Sequence, residues 1–450
     1  MSAANRAAGA AATPAPAVSP ARACAYAVVR RVFEHDAYAD RAFHAEARQL
    51  DSRDRAFAMA LAYGTVQRRA TLDHVAAALS SRPPARLDPP VLAALRLGLM
   101  QILFMEGVAD HAAVHESVEL AKRDARAGSG LVNAVLRRAA REGRAIVAAL
   151  DDGSPERAAI RHSAPEWLAR LWWRELGPAR ARALLSAINE PAETALRVNT
   201  LAADPGRLAS ELGVAWHAAA GLPEALVLDG PFDAHASPHW AAGAIMPQSR
   251  ASMTVARTLD PQPGERVLDL CAAPGGKTTH LAALMGDQGT LVAVERHPGR
   301  AQALQRTLTR MHVTCARVEV RDASEPPAGA FDRVLVDPPC SGLGTLQSRP
   351  DLRWRTSPER IADLAALQAR ILRAGAAATR PGGMLVYSVC TISRAESDAV
   401  IDGFVAETAG WERDSITRLA PDTDGTDGFF IVRLRRTAEA GPTRTARSGR

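Results

Sequence analysis

The sequence predicts a multidomain chain: an all-helical N-terminal domain, a small α+β subdomain, and a doubly wound α/β domain. Three observations carry this. Residues 22–145 place apolar residues at three- and four-residue spacing throughout. Residues 160–245 mix helical and strand-like segments. From residue 246 short apolar runs alternate with helical stretches, the pattern of a parallel sheet covered by helices. At 450 residues the chain exceeds one compact core.

In the first region "ACAYAVVRRVF", "RDRAFAMALAYGTVQRRATLDHVAAALSS", "PPVLAALRLGLMQILFM", "HAAVHESVELAKRDA" and "SGLVNAVLRRAARE" each read as helix. Pro84, Pro89, Pro90 and the stretch Gly128 to Gly130 punctuate them. His111 and His115 sit four apart on one of these helices, but no third ligand accompanies them, so helix surface is the better account. Residues 146–160, "VAALDDGSPERAAIR", read as a linker. In the second region "APEWLARLWWREL" is helical, and "TALRVNTLA", "DPGRLASELG", "VAWHA" and "EALVLDG" follow as strand, helix, strand and strand. In the third, strands are expected at "ERVLDL", "GTLVAVE", "ARVEVRD", "FDRVLVD", "GMLVYSVC" and "GFFIVRLR". Helices such as "GGKTTHLAALM" and "PGRAQALQRTLTRM" lie between most of them. The Ala/Pro-rich residues 1–21 and the polar residues 437–450 are expected to be disordered tails.

Composition excludes several function classes. No apolar stretch is long enough to span a membrane, and the N-terminus lacks the apolar centre of a signal peptide. The cysteines, Cys24, Cys271, Cys315, Cys340 and Cys390, are odd in number and widely spaced. That fits a reducing cytoplasm without a disulfide framework, and it lacks the CxxC pairing of a zinc site. A net charge of +6 suits a polyanionic partner such as nucleic acid, though compositional bias explains it equally well. Lys122 and Lys277 are the only lysines; every other basic residue is Arg. Lysine and arginine are not interchangeable at a site, which draws attention to Lys277.

In "GERVLDLCAAPGGKTTHLA" a strand ends at Leu270 and a helix starts near Gly276. Small residues there let backbone amides approach a ligand at a helix N-terminus. Glu295 ends the next strand, where an acid commonly accepts from ribose hydroxyls. Together these predict a nucleoside-containing cofactor. The rival is a phosphate-binding loop of an ATPase. Its first glycine would fall at Cys271, and Pro274 removes an amide donor.

Cys340 and Cys390 each follow an apolar, strand-like run, in "DRVLVDPPCSGLG" and "LVYSVCTIS". A thiolate adding to carbon 6 of cytosine makes carbon 5 enamine-like and able to attack an electrophilic methyl group, so one hard step becomes two easier ones. Such a thiolate needs nearby positive charge. Small buried hydrophobes are the plain alternative for either cysteine alone; two at the ends of strands in one sheet, beside a cofactor-type loop, favour chemistry.

"VLDLCAAPGGKTTHLA", "DRVLVDPPCSGLGTLQSRPDLRW" and "LVYSVCTISRAES" resemble the signatures of RNA cytosine-5 methyltransferases that use S-adenosylmethionine; "LRVNTL" and "DGFFIVRL" fit as well. The helical region, with "HAAVHESVELAK" and "GLVNAVLRR", resembles the NusB-like domain of the branch that acts on bacterial 16S ribosomal RNA, the Sun/Fmu type. The resemblance covers nearly the whole chain except both tails. It implies a NusB-like RNA-binding domain over 22–145, an α+β RNA-binding subdomain over 160–245, and a Rossmann-like methyltransferase domain over 246–436. Cys271, Ala272, Ala273, Pro274, Gly275, Gly276 and Lys277 would form the cofactor loop. Glu295 would hold the ribose, Asp322 would sit at the adenine, and Asp337 would lie between cofactor and base. Cys390 would be the attacking thiol, and Cys340 would assist release. Many members have Thr-Cys where this chain has Val389–Cys390, which removes a hydroxyl beside the thiol. Transfer RNA as substrate, and a purely RNA-binding module, are the alternatives; the intact loop and both cysteines argue against the second. A monomer in the cytoplasm, without metal or membrane, is expected.

Overall fold

The structure, a computed structural model, describes residues 18–80 and 82–437. Most of both segments expected to be disordered, 1–17 and 438–450, lies outside the described residues. The chain divides into two compact units, one ending at Ala169 and one beginning at Arg170.

The first unit is helical. Its helices include Pro20–Glu34, Ala39–Glu46, Ser52–Gln67, Arg69–Leu79, Pro89–Phe104, Asp110–Asp124 and Ser129–Arg138. Asp51 caps the third by accepting from the Asp54 N–H at 2.8 Å. Pro89 and Pro90 start a helix rather than break one, because an N-terminal turn has no use for their missing N–H groups. That helix is apolar almost all round, and Val91, Leu95, Leu99 and Ile102 are buried. The expected linker is mostly structured. Helices Arg144–Ala148 and Pro155–Arg161 leave only 149–154 as coil. Ser154 caps the second helix with Pro155 in its first turn. Residues after it stay with the helical unit: the Thr71 hydroxyl donates to the Ile160 carbonyl at 2.6 Å, and Ser163 Oγ accepts from Ala70 N at 2.9 Å.

In the second unit, β1 (Thr194–Val198), β2 (Trp216–Ala219), β3 (Leu222–Leu228) and β4 (Ile245–Pro247) form an antiparallel sheet of order β2-β3-β1-β4. β4 is too short to show a sequence period. It sits across the position where the sequence suggests a boundary, and it pairs with β1.

The larger sheet contains β5 (Arg266–Leu270), β6 (Thr290–Glu295), β7 (Ala316–Val320), β8 (Phe331–Val336), β9 (Thr379–Val389), β10 (Trp411–Leu419) and β11 (Phe429–Arg436), in the order β10-β11-β9-β8-β5-β6-β7. β9, β8, β5, β6 and β7 are parallel, as expected for a doubly wound sheet. β11 departs from that expectation. It runs antiparallel to both β9 and β10, because a short link joins β10 to β11 and parallel neighbours need a crossover. Two apolar layers cover the sheet: Val334, Leu372 and Phe404 lie in one, Val255, Leu281 and Leu304 in the other.

Candidate active site

The parallel register brings the carboxyl ends of β8, β5, β6 and β7 side by side, where such sheets bind ligands. Glu295 ends β6, Asp322 follows β7 by two residues, and Asp337 follows β8 directly. Cys390 follows β9, and Cys340 lies three residues beyond Asp337.

The loop after β5 turns sharply. Cys271 has φ +68° and Gly275 φ +107°. At Gly275 a side chain would be strained, and its Cβ would come within 2.9 Å of Leu304. The helix Gly276–Leu284 starts there and brings Lys277 into its first turn. Beneath it the Thr278 hydroxyl donates to Asp269 Oδ2 at 2.7 Å. Asp269 is fully buried on β5, and burial pushes its carboxyl up to about 7.

Lys277 Nζ lies 2.8 Å from Asp337 Oδ2. Burial opposes the ammonium charge, but Asp337 overrides it and holds Lys277 above its usual value. The other oxygen of Asp337 accepts from the Ser388 hydroxyl at 2.7 Å. β8 and β9 are paired with Val336 opposite Tyr387, so the next residues, Asp337 and Ser388, come level. The ammonium also faces the Phe429 ring, 5.2 Å from its centre.

The sulfurs of Cys340 and Cys390 are 3.3 Å apart. Their environments differ. Cys390 lies below an ordinary thiol: the hydrogen bond from Cys340 favours its thiolate, and the Lys277 and Arg349 cations help against burial and Asp337. Cys340 lies well above, because that same hydrogen bond, burial, the Cys390 charge and Glu396 all oppose a second thiolate. Burial also pushes Cys24 up to about 11, Cys315 up to about 12 and Cys271 up. Of the five cysteines, Cys390 alone is shifted toward the nucleophilic form.

Glu295 is buried at 3% exposure. Its Oε1 accepts from His297 N at 2.9 Å, and Oε2 lies 3.3 Å from Arg300. Arg300 also donates to the Ala273 carbonyl at 2.8 Å, tying the end of β6 to the loop. Each carboxylate oxygen keeps a further lone pair for a ribose hydroxyl. Asp322 Oδ1 accepts from Ser324 N at 2.9 Å and from its hydroxyl at 2.7 Å, and these bonds hold its carboxyl below the usual range.

Residues 256–435 match the family described as 16S rRNA methyltransferase RsmB/F, residues 19–141 match the NusB family, and residues 164–235 match the ferredoxin-like domain of RsmF/B-like methyltransferases. A probable ribosomal RNA small subunit methyltransferase B from Synechocystis is 36% identical, covering 92% of this chain and 99% of its own. The ribosomal RNA small subunit methyltransferase B of Thermus thermophilus is 36% identical over 85% of this chain and 89% of its own. The chain belongs to the 16S rRNA methyltransferase RsmB/F family. Among solved structures, the protein PH0851 is similar with a TM-score of 0.80 and 26% identity, covering 93% of this chain and 99% of its own. A methyltransferase homologue from Pyrococcus horikoshii is similar with a TM-score of 0.58 and 28% identity, over 63% of this chain and 99% of its own.

As an RsmB/F protein the chain is a ribosomal RNA methyltransferase, and S-adenosylmethionine is its cofactor. The residues present fit that molecule. Its ribose and adenine offer hydroxyl and amine donors, its sulfonium is cationic, and its methionine end carries both an ammonium and a carboxylate. The rim offers acceptors and negative charge in Glu295, Asp322 and Asp337, around a loop free of bulky side chains.

The sequence reading missed several residues of this RsmB/F site. Ser388 and Asp269 are polar residues inside apolar strand runs, and that interruption was their signal. Arg197 on β1 is fully buried and donates to Gln248 at 2.9 Å, to Thr279 at 2.7 Å and to the Gly276 carbonyl at 2.5 Å. It ties the small sheet to the helix after the cofactor loop, a tertiary contact with no local signature. His111 and His115 line a groove of about 680 Å³ in the helical unit. Among the described residues no group of three His, Cys, Asp or Glu side chains is placed to hold a metal.

Proposed function

We propose that the protein methylates carbon 5 of a cytosine in 16S ribosomal RNA, with Cys390 as the nucleophile and Cys340 as the group that lets the enzyme go. The observation that carries this is the pair of sulfurs 3.3 Å apart, with the thiolate favoured at Cys390. S-adenosylmethionine supplies an electrophilic methyl group. Cys390 adds to carbon 6 of the base, and carbon 5 gains the electron density to take that methyl. Removal of the carbon-5 proton then restores the 5,6 double bond and expels Cys390 as thiolate.

The thiol pair supports a timing for the last step. Two thiolates this close cannot coexist. Once Cys390 is bonded to carbon 6 it carries no charge, and the main cause holding Cys340 protonated is gone. Cys340 then loses its own proton to water, can accept the one from carbon 5, and so ends the cycle protonated beside the released Cys390 thiolate. The base must leave its stack to reach both sulfurs. Bisulfite sequencing of 16S RNA, incubated with the protein and cofactor, tests the reading. One protected cytosine is expected; none would overturn it.

Glu295 is read as the ribose acceptor. Glu295→Ala should weaken cofactor binding about tenfold, the loss of one hydrogen bond to a charged group at about 1.5 kcal/mol. Calorimetry with S-adenosylhomocysteine checks this, and an unchanged Kd counts against the assignment. Asp322 is read as the adenine partner and Asp337 as the group between cofactor and base.

The helical region 22–145 and the subdomain 160–245 are read as RNA-binding parts serving the catalytic region 246–436, in the cytoplasm. Not every arginine of the helical region is free to meet phosphate. Arg96 is 5% exposed and makes a two-pronged pair with Asp73 at 2.7 and 2.8 Å. Arg53 and Arg137 are exposed, and the groove at His111 also presents Lys122, Arg137 and Arg141. Deleting residues 1–163 should therefore weaken RNA binding and flatten its dependence on salt. Equal slopes of log affinity against log salt would refute this role.

A further inference from the structure

One buried carboxyl group touches the residue beside each of the two thiols. Glu396 is fully buried. Its Oε1 accepts from the Ser341 backbone N–H at 2.8 Å and from the Gln368 amide at 3.0 Å. Its Oε2 accepts from the Ser341 hydroxyl at 2.5 Å and the Thr391 hydroxyl at 3.2 Å. Those two hydroxyls are 2.8 Å apart. Ser341 follows Cys340 in the chain, and Thr391 follows Cys390.

The carboxyl is itself held from behind. The Tyr387 hydroxyl donates to the Glu396 backbone carbonyl at 2.7 Å. Gln368 also donates to the Pro339 carbonyl at 3.0 Å, on the other side of Cys340. The loop after β8 and the loop after β9 are thus joined at one point next to both sulfurs. A second tie lies further along, where Gly344 N donates to the Cys390 carbonyl at 3.0 Å.

We infer that Glu396 is a positioning residue that sets the distance between the Cys340 and Cys390 sulfurs through Ser341 and Thr391. This rests on the reading of those cysteines as the catalytic pair. Glu396 is sealed from solvent, so it acts through its neighbours and not on the base. A buried network whose members are all satisfied is rigid. Without the carboxyl, four donors lose their shared acceptor: the Ser341 N–H, the Gln368 amide and the Ser341 and Thr391 hydroxyls, and the two loops lose the group that joins them. A shift of about 1 Å at reacting groups can cost about a hundredfold in rate.

The test reads geometry without RNA. Reduced full-length protein is treated with oxidised dithiothreitol, and closure of a Cys340–Cys390 disulfide is followed by mass spectrometry. Both thiols lose their protons, the sulfur–sulfur bond forms, and the reagent leaves as its dithiol. Glu396→Ala should close about tenfold or more slowly than wild type, and its kcat should fall about a hundredfold with KM for RNA little changed. Glu396→Gln keeps the side-chain length and one acceptor oxygen, so it should recover most of the closure rate. Ser341→Ala and Thr391→Val should each slow closure. Folding is checked by the rise in melting temperature with S-adenosylhomocysteine. A folded Glu396→Ala that closes at the wild-type rate overturns the inference. If that variant does not fold, wild-type closure in both Ser341→Ala and Thr391→Val overturns it. Slowed closure with unaltered methylation would instead sink the catalytic reading of the cysteines and leave the clamp standing.

Discussion

Replacing Cys390 by Ala should abolish both product and covalent complex, while replacing Cys340 by Ala should make the complex accumulate. The asymmetry follows from the thiol pair. Cys390 is shifted toward thiolate by the hydrogen bond from Cys340 and by Lys277 and Arg349, so attack needs Cys390. Cys340 is held protonated until Cys390 is consumed, so its turn comes after methyl transfer. Loss of the nucleophile should lower kcat by a factor on the order of 10⁴ or more. Cys340→Ala should still attack and transfer the methyl group, but should retain methylated RNA in a species that survives denaturing electrophoresis. It should attack less readily than wild type, because the hydrogen bond that favours the Cys390 thiolate is gone. Complex in Cys390→Ala and none in Cys340→Ala would reverse the roles.

The second large effect is expected at Lys277. Its ammonium favours the Cys390 thiolate and pairs with Asp337 at 2.8 Å. In Lys277→Met the thiolate loses a cation and faces an Asp337 carboxylate that has lost its partner. Both changes raise the thiol's proton affinity, toward and above the ordinary value near 8.5. Alkylation of Cys390 by iodoacetamide requires the thiolate, so its rate rises with pH through that value. The midpoint in wild type should lie below that of a free thiol and should move up in Lys277→Met. A shift of about one unit makes the variant roughly tenfold less reactive at neutral pH. Lys277→Arg should recover the charge but not the fit, because a planar guanidinium does not replace a compact ammonium between Asp337 and Phe429. An unchanged midpoint in Lys277→Met would remove Lys277 from the activation of Cys390.

The parts of this architecture that the sequence made legible are those in which one local stretch carries its own signal. The parallel strands β5 to β9 are apolar runs bounded by turn residues, and the loop Cys271 to Lys277 joins a strand to a helix without interruption. The placement of Cys340 and Cys390 beyond the ends of two neighbouring strands was legible because each follows an apolar, strand-like run. β10 was not. In "WERDSITRL" charged residues mask the alternation, since this edge strand pairs its exposed charges with neighbours: Arg413 with Asp402 at 2.6 Å, Glu412 with Arg435 at 2.9 Å. The direction of β11 depended on β10 and was missed with it. Glu396 and Arg197 were illegible for another reason. Each is a polar residue whose partners come from distant segments, and only the folded chain shows that it is buried and what it binds. The helix Pro155–Arg161 was legible and overlooked: Ser154 and Pro155 are a start signal, outweighed in the reading by Asp151, Asp152 and Gly153 just before it.

The central claim is that Cys390 bonds to carbon 6 of a cytosine, and wild-type protein can report it directly. In 16S RNA carrying 5-fluorocytosine, carbon 5 bears fluorine where a proton must leave. Attack and methyl transfer can proceed, but elimination cannot. Incubation with S-adenosylmethionine, nuclease digestion and peptide mass spectrometry then show which cysteine holds the nucleotide. The account predicts a methylated fluorocytidine nucleotide on the peptide containing Cys390 and none on the peptide containing Cys340. The nucleotide on Cys340, or methylation of unsubstituted cytosine with no trapped nucleotide on either, would contradict it.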